Sequence, residues 1–181
     1  MADILTNLLN EDKEYSESKF KSKVENEFVQ IKLAMVTGKT EKIKHFVNDQ
    51  TYEKIVNKVE EDTKNNRIQL YDELNVANID IQNIEEYEDR FEIKVQVYSK
   101  AYEYFIDKET KKFISGNKND RVEKYTNIVF AKVKNAKKLS TLRRCPTCGA
   151  NVDVNANGRC NYCHTIFDLE KYDWIITSME L

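Results

Sequence analysis

The first part of the chain carries apolar residues at the spacing of one helical face. These residues recur three or four positions apart: Phe20, Val24, Phe28, Ile31 and Met35. This period predicts an amphipathic helix that packs one side on a core. Ser16 and Ser18 are candidates for its N-cap, and Gly38 is suited to end it. Thr40 is then placed to cap the next element.

Two shorter apolar patterns follow this helix. A short second helix is predicted from three residues: Ile43, Phe46 and Val47. A third amphipathic helix is predicted from four residues: Tyr52, Ile55, Val56 and Val59. It ends in an acidic and asparagine-rich stretch, Glu60–Asn66. The apolar residues Ile68, Leu70 and Leu74 either extend this helix or lead into a strand.

From Asn78 onward the apolar period changes to two residues. The alternating positions are Ile79, Ile81, Phe91, Ile93, Val95 and Val97, and aromatic residues continue the run to Phe105. An alternation of this kind predicts strands with one buried face. Asp107–Lys112 and Ser115–Asp120 predict turns before a last strand over Tyr125–Val133. Helices followed by an antiparallel meander predict an α+β domain in which one sheet face receives the helices.

All four cysteines lie in two CxxC motifs near the end of the chain. The motifs are Cys145–Cys148 and Cys160–Cys163, and the residues between them, Ala150–Arg159, suit a small hairpin. Four thiolates in this arrangement predict a tetrahedral, structural Zn²⁺ site without an open coordination position. Redox dithiols or two disulfides are the alternative interpretation. His164 follows the last cysteine and is interpreted as a residue at the edge of the site, because four sulfurs complete the shell; its replacement of a cysteine as a ligand is the alternative.

The composition is that of a globular chain with balanced charge. Of the 181 residues, 40% are hydrophobic and 33% are charged, and the net charge is −2. No global positive field would therefore draw the chain to nucleic acid or anionic lipid. No apolar run reaches the length of a membrane span, and cysteines placed for metal indicate a reducing compartment. We expect a cytoplasmic protein, or one at the cytoplasmic face of a membrane if an amino-terminal anchor has been removed.

A basic stretch that ends at Arg144 separates the predicted α+β domain from the predicted zinc ribbon. Its last arginines, Arg143 and Arg144, are expected to offset the negative charge of a thiolate cluster, and an anion-binding patch is the alternative. The predicted organisation is an α+β domain over residues 16–134, a basic linker over 135–144, and a zinc ribbon with an apolar C-terminal tail over 145–181.

Two segments of the α+β domain resemble the Tim44-like family. The first is Phe20–Ile55, in which Phe20–Val24 leads to Leu33–Val47. The second, Phe113–Phe130, is similar to the family's closing hairpin. The resemblance implies a cone-shaped fold like that of nuclear transport factor 2, in which a curved sheet wraps around helices and encloses an apolar cavity. The added zinc ribbon is similar to the arrangement in bacterial members. Mitochondrial members tether the import machinery to the inner membrane and contact lipid, which implies a role in transport or assembly.

Three groups of residues are candidates for a function beyond the metal site. Four strand aromatics are candidates to line a ligand cavity, with plain core packing as the alternative: Tyr98, Tyr102, Tyr104 and Phe105. Four tail residues are candidates for a patch that recruits a protein or a second copy, with docking on the chain's own ribbon or helices as the alternative: Tyr172, Trp174, Ile175 and Ile176. His45 and Asp49 are candidates for acid–base chemistry in the cone, although a structural histidine is the simpler interpretation.

These features favour a non-catalytic binding or scaffold module with a structural Zn²⁺ ion and a protein partner. Direct membrane binding has no support in the sequence. Nucleic-acid binding through the ribbon and the basic linker is the first alternative, although Asp153 stands on the hairpin where a basic or aromatic residue would be expected. A small enzyme with its site in the cone is the second alternative.

Overall fold

The computed structural model describes residues 2–135, 145, 150–151, 160, 162–163 and 173–181. The helices over these residues are α1 (Ala2–Glu11), α2 (Glu17–Thr37), a short 3-10 helix (Thr40–Lys42) and α3 (Asp49–Lys64). The strands are β1 (Arg67–Glu86), β2 (Arg90–Asp107), β3 (Phe113–Gly116), β4 (Val122–Val133) and β5 (Ile175–Met179). Helices therefore precede an antiparallel sheet, and the predicted α+β class is confirmed.

Helix α2 has the ends that its sequence predicts. The Ser16 side chain accepts a hydrogen bond from the Lys19 N–H at 3.2 Å, which satisfies one of the free donors of the first turn. Gly38 ends the helix in the left-handed region, with φ of 71°. The predicted apolar face is buried, and Phe20, Val24, Phe28, Ile31 and Met35 all belong to the core.

The segment after α2 is not the second helix that its apolar spacing predicts. The 3-10 helix ends at Lys42, and turns follow before α3. Ile43 and Phe46 are nevertheless buried in the core, and Val47 forms a parallel bridge with Ile176. Their spacing therefore places apolar side chains into the core from turns rather than from one helical face. Thr40 begins the 3-10 helix and does not cap it.

The sheet has the order β1-β2-β4-β5, with β3 paired beside β4 on the same edge of β2. Strand β1 begins at Arg67, so the apolar residues that follow it belong to a strand and do not extend α3. The pairing of β1 with β2 shifts register at three places, between Asp72 and Asn75, Val76 and Asn78, and Ile81 and Asn83. Such bulges bend a strand and increase its twist, which suits a long strand that curves around helices.

The main core lies between the helices and one face of the sheet. Strand β2 supplies alternate residues to it: Phe91, Ile93, Val95 and Val97. Helix α1 supplies Leu8, which is fully buried, although the predicted domain boundary at residue 16 leaves this helix out. Strand β5 follows the cysteines in the chain but pairs with β4 in the main sheet, where Phe130 lies opposite Ile176.

Candidate metal centre and its surroundings

Three of the cysteines converge in the structure. The Sγ atoms of Cys145, Cys160 and Cys163 all lie within 4.8 Å of one another. The Sγ atoms of Cys145 and Cys163 are 3.6 Å apart. Two sulfurs that bind one Zn²⁺ ion tetrahedrally, with Zn–S bonds of about 2.3 Å, are about 3.8 Å apart. A disulfide bond measures about 2.05 Å, so the observed separation fits a shared metal ion better than a disulfide between these two residues.

Backbone hydrogen bonds shape the two turns that carry the thiols. The N–H of Cys145 donates to the carbonyl of Ala150 at 2.8 Å, which holds these two residues together. The N–H of Tyr162 donates to Sγ of Cys160 at 3.5 Å.

The thiols are buried against a strand of the main sheet. Cys145 and Cys160 are 2% and 1% exposed and pack with Ile175, and Cys163 lies beside them. Thiolates in such a place need a compensating cation, and soft sulfur ligands suit Zn²⁺. The donor set therefore fits the predicted metal. Cys148, His164 and the linker residues 136–144 lie outside the described residues.

The four aromatic residues of the predicted ligand cavity do not surround one space. They are Tyr98, Tyr102, Tyr104 and Phe105. The first three project from the sheet face opposite the helices, where Tyr98 stacks on Tyr125. Phe105 projects toward the helices, and its ring centroid lies 4.4 Å from Cζ of the Arg67 guanidinium. Arg67 in turn forms an ion pair with Asp62 of α3. The predicted cavity of four aromatic residues is therefore wrong, because successive strand residues such as Tyr104 and Phe105 point to opposite faces of a sheet.

Three of the four tail residues of the predicted partner patch are described, and these three are buried within the chain itself. Trp174, Ile175 and Ile176 are 3%, 4% and 0% exposed. The Trp174 ring packs edge-on against Phe20 of α2, with centroids 5.4 Å apart. Ile176 enters the main core and Ile175 packs on the cysteines. These three side chains therefore do not form an exposed patch, because the chain's own helices and cysteines cover them. Tyr172 lies outside the described residues.

His45 and Asp49 occupy positions that have structural explanations. The His45 ring packs edge-on against Phe46, with ring centroids 4.9 Å apart and an interplanar angle of 88°. Asp49 lies in the first turn of α3, where a carboxylate interacts favourably with the helix dipole. Both contacts fit the simpler interpretation of structural residues.

The sheet face that points away from the helices carries an exposed aromatic stack. The rings of Tyr98 and Tyr125 are 4.8 Å apart and nearly parallel, at 19°. Tyr125 is 59% exposed. The sequence pattern predicts Tyr125 in a strand but does not indicate a site at this residue. The signal that would have found it is its register directly opposite Tyr98, which only strand pairing supplies.

Four cations on this outer face are paired with carboxylates. The ion pairs are Lys94–Glu85, Arg90–Glu92, Lys100–Glu123 and Arg121–Glu73. Each of these four positive charges has a negative neighbour, so together they add little of the positive field that attracts a polyanion.

A known family model covers most of this chain. The model of the Tim44-like domain matches residues 1–141. The chain belongs to the Tim44-like family. Three helices packed on a five-stranded antiparallel sheet agree with the fold that the resemblance implies, which is also that of nuclear transport factor 2. No curated protein gives a match to the chain.

The match and the metal centre occupy different parts of the chain. The Tim44-like match includes α1 and ends before Cys145, so the thiols lie outside it. Strand β5 also lies beyond the match, yet it completes the sheet of the Tim44-like domain. Among the residues that the structure describes, no helix has both the length and the apolar character needed to cross a membrane.

Lys23 of α2 forms ion pairs with the buried carboxylate of Glu27 and with Asp173, just before β5. Glu27 of α2 is 4% exposed, and its Oε1 lies 2.8 Å from the Lys23 ammonium. The same ammonium lies 2.9 Å from Asp173. Within the described part of the chain, the Glu27 Oε2 atom has no hydrogen-bond partner. Burial raises the pKa of Glu27 to about 7, although the Lys23 charge opposes the change.

A second buried charge of the domain belongs to Lys32. This side chain is 3% exposed, and its Nζ lies 4.4 Å from the ring centroid of Tyr71 and 5.5 Å from that of Phe28. Its contacts within the described residues are with these rings and include no ion pair. Burial lowers the pKa of Lys32 to about 8; Lys124 adds to this effect and Glu103 opposes it.

Proposed function

We propose that this Tim44-like protein is a non-catalytic binding or scaffold module that presents the outer face of its sheet to a protein partner. The observation that carries the proposal is the stack of the half-buried Tyr98 on the exposed Tyr125. Tyrosine and arginine are the residue types that most often dominate binding energy at protein interfaces, and Arg121 lies 5.5 Å from the Tyr102 ring on the same face. A role in transport or assembly, in the cytoplasm or at the cytoplasmic face of a membrane, is consistent with the family.

The surface chemistry favours a protein over a nucleic acid as the partner. Nucleic-acid binding needs a basic surface with unpaired cations, since phosphate contacts dominate its affinity. On the outer face Lys100 pairs with Glu123 at 2.7 Å and Arg121 pairs with Glu73. Stacked aromatic residues are typical of the centre of a protein interface, and paired charges are typical of its polar rim.

The second part of the proposal is a structural Zn²⁺ ion held by Cys145, Cys148, Cys160 and Cys163. The convergence of three thiols, two of them buried, supports it. A shell of four sulfurs leaves no open coordination position, so the ion would stabilise the ribbon and would not activate water.

The binding role is tested by affinity capture from cell lysate and from solubilised membranes. A Tyr98→Ser, Tyr125→Ser variant removes the stack, and a Leu33→Ser variant alters an exposed apolar residue of α2, 57% exposed, as the matched control. We expect a protein that is recovered in comparable amounts by the wild type and the control and is lost with the double variant. Equal recovery of every protein by all three chains, or recovery of nucleic acid that salt removes, would contradict the proposal.

The metal is tested separately by metal analysis of the purified chain. We expect one zinc ion per chain, and loss of that ion in a Cys160→Ser, Cys163→Ser variant. A wild-type chain purified under reducing conditions in the presence of zinc that contains no metal would refute the structural zinc ion without bearing on the outer face.

A further inference from the structure

We propose that the metal centre is a latch that holds strand β5 in the sheet of the Tim44-like domain, so that metal binding controls whether this sheet is complete. The inference rests on the proposed zinc ion. It goes further because it assigns the ion an effect on the Tim44-like domain in addition to its effect on the ribbon.

Strand β5 is held on both of its edges. On one side it pairs with β4, where Ile176 lies opposite Phe130. On the other side the N–H of Ile176 donates to the carbonyl of Phe46 at 2.8 Å, and the carbonyl of Ile176 accepts from the N–H of Asn48 at 2.9 Å. Ile176 and Met179 are buried in the main core. A chain without docked β5 would therefore lose core contacts and leave backbone groups of β4 and of the segment before α3 without these partners.

Ile175 is the physical link between β5 and the thiols. It lies opposite Ala131 in the pairing of β5 with β4. Its side chain is 4% exposed and packs with Cys145 and Cys160, with Cys163 beside them. Adjacent strand residues point to opposite faces, so one strand places Ile176 in the main core and Ile175 on the thiols. Any change that disperses the thiols uncovers Ile175 and weakens the docking of β5.

A bound metal ion would also reduce the length of flexible chain that must be closed into a loop when β5 docks. The chain leaves β4 at Val133 and begins β5 at Ile175, so residues 134–174 must be closed into a loop when the strand docks. An ion bound by both Cys145 and Cys163 would close part of this loop in advance. Closing a loop in advance lowers the entropy that the later pairing must overcome.

A second set of contacts, which does not involve the thiols, holds the residues just before β5. Asp173 pairs with Lys23 of α2 at 2.9 Å. The Trp174 indole N–H is directed at Asp12 at 3.4 Å, and Lys132 of β4 reaches the same Asp12 oxygen at 2.6 Å. These contacts hold the same strand from the helix side. Because coupling between two sites is reciprocal, weakening them is expected to lower the affinity for the metal.

Trp174 makes the latch observable in the full chain, since it is the single tryptophan and is 3% exposed. Zinc is withdrawn from the wild-type protein with a chelator and then restored, while Trp174 emission and amide hydrogen exchange are recorded. Without zinc, we expect emission to shift to longer wavelength and the β5 amides to exchange about tenfold faster or more. The amides of α3 in the middle of the helix serve as the internal control, and their exchange is expected to change much less.

Two neighbouring substitutions separate the latch from general destabilisation. Ile175→Ala removes the contact with the thiols, so the ratio of β5 exchange rates without and with zinc is expected to fall toward one. Ile176→Val trims the main core on the same strand and is expected to leave that ratio within about a factor of two of the wild type. Asp173→Asn is expected to weaken zinc binding about threefold or more, as read from chelator competition.

The outcomes distinguish failure of the latch from failure of the zinc ion. If zinc binds and is withdrawn while Trp174 emission and β5 exchange stay unchanged, the latch is refuted and the structural ion stands. If the purified chain takes up no zinc under reducing conditions, the ion and the latch are refuted together. If Ile175→Ala and Ile176→Val change the exchange ratio equally, the link through Ile175 is refuted.

Discussion

The ammonium of Lys23 in α2 lies 2.9 Å from the carboxylate of Asp173, a residue 150 positions later in the chain. The same ammonium lies 2.8 Å from Glu27, which is buried one helical turn further along α2. One cation therefore compensates a buried carboxylate and ties the first long helix to the start of the last strand. Both neighbours raise the pKa of Lys23 and outweigh the opposing effect of its burial, so it remains charged at neutral pH.

Replacing Lys23 is expected to destabilise the protein strongly at neutral to alkaline pH. Lys23→Met leaves the buried Glu27 without its cation, and removing one partner of a buried ion pair typically costs about 3 kcal/mol or more. Urea unfolding at pH 8 measures the change. Adding Glu27→Gln to Lys23→Met is expected to restore most of the lost stability, because it removes the uncompensated charge.

The control for this prediction is Lys21→Met on the same helix. Lys21 pairs with Glu17 at the surface, and such pairs contribute about 0–1 kcal/mol. A loss of stability as large for Lys21→Met as for Lys23→Met, or no rescue by Glu27→Gln, would contradict the assignment.

The buried Glu27 carboxyl is expected to make stability fall as pH rises. Its pKa is raised from 4.5 to about 7, so the folded state binds a proton more tightly than the unfolded state between these values. The contribution of Glu27 to stability is therefore complete below pH 4.5 and is lost as pH rises through about 7. Urea unfolding of the wild type and of Glu27→Gln between pH 5 and pH 8 isolates the effect. The difference, wild type minus variant, is expected to fall with a slope approaching about 1.4 kcal/mol per pH unit.

Lys32→Met is expected to stabilise the protein at pH 7. The wild-type ammonium is buried between two aromatic rings, and its pKa is lowered to about 8, so charging it in the folded state carries a penalty. A shift of this size corresponds to a gain on the order of 3 kcal/mol when methionine takes its place. The pH dependence has a definite sign. The wild type recovers stability as pH rises from about 8 toward 10.5, so the advantage of the variant shrinks over that range.

Thermal unfolding of Lys32→Met at several pH values measures this effect. Lys19→Met, at an exposed position of α2, is the control and is expected to change stability by less than about 0.5 kcal/mol. A variant that is less stable than the wild type at pH 7 would mean that the contacts with the two rings outweigh the penalty of burial.

Alanine is expected to be tolerated much less at Gly116 than at Gly38. Gly116 has φ of 106°, and an added Cβ would lie 2.6 Å from Cα of Tyr104 and 2.7 Å from the carbonyl oxygen of Glu103. Gly38 has φ of 71°, but an added Cβ would meet no described atom within 4 Å. We expect a loss of about 1 kcal/mol for Gly38→Ala from backbone strain alone, and of about 3 kcal/mol for Gly116→Ala. Urea unfolding compares the two variants, and equal losses would contradict the close approach of β3 to β2.

Apolar spacing and cap residues predicted α2 and the buried face of β2, because these features depend on residues that are close in the sequence. The spacing of Phe20, Val24 and Phe28 predicted α2, and Ser16 and Gly38 predicted its ends. The alternation from Phe91 to Val97 predicted the buried face of β2. Helix α1 was missed, and its Leu8 owes its burial to packing against distant residues. The segment Ile43–Val47 shows the limit of periodicity, since apolar spacing alone does not distinguish a helical face from turns that insert side chains into a core.

The class of the fold, the caps of α2 and the grouping of the cysteines follow from local sequence patterns, because each depends on residues close together in the chain. The pairing of β5 with the main sheet and the packing of Ile175 on the thiols follow from the three-dimensional fold, because these contacts join segments far apart in the chain. The three-dimensional fold also separates Phe105 from the outer tyrosines and brings Tyr98 onto Tyr125. The direction of a strand side chain, and the neighbour it meets, depend on register, and register is set by the pairing of whole strands.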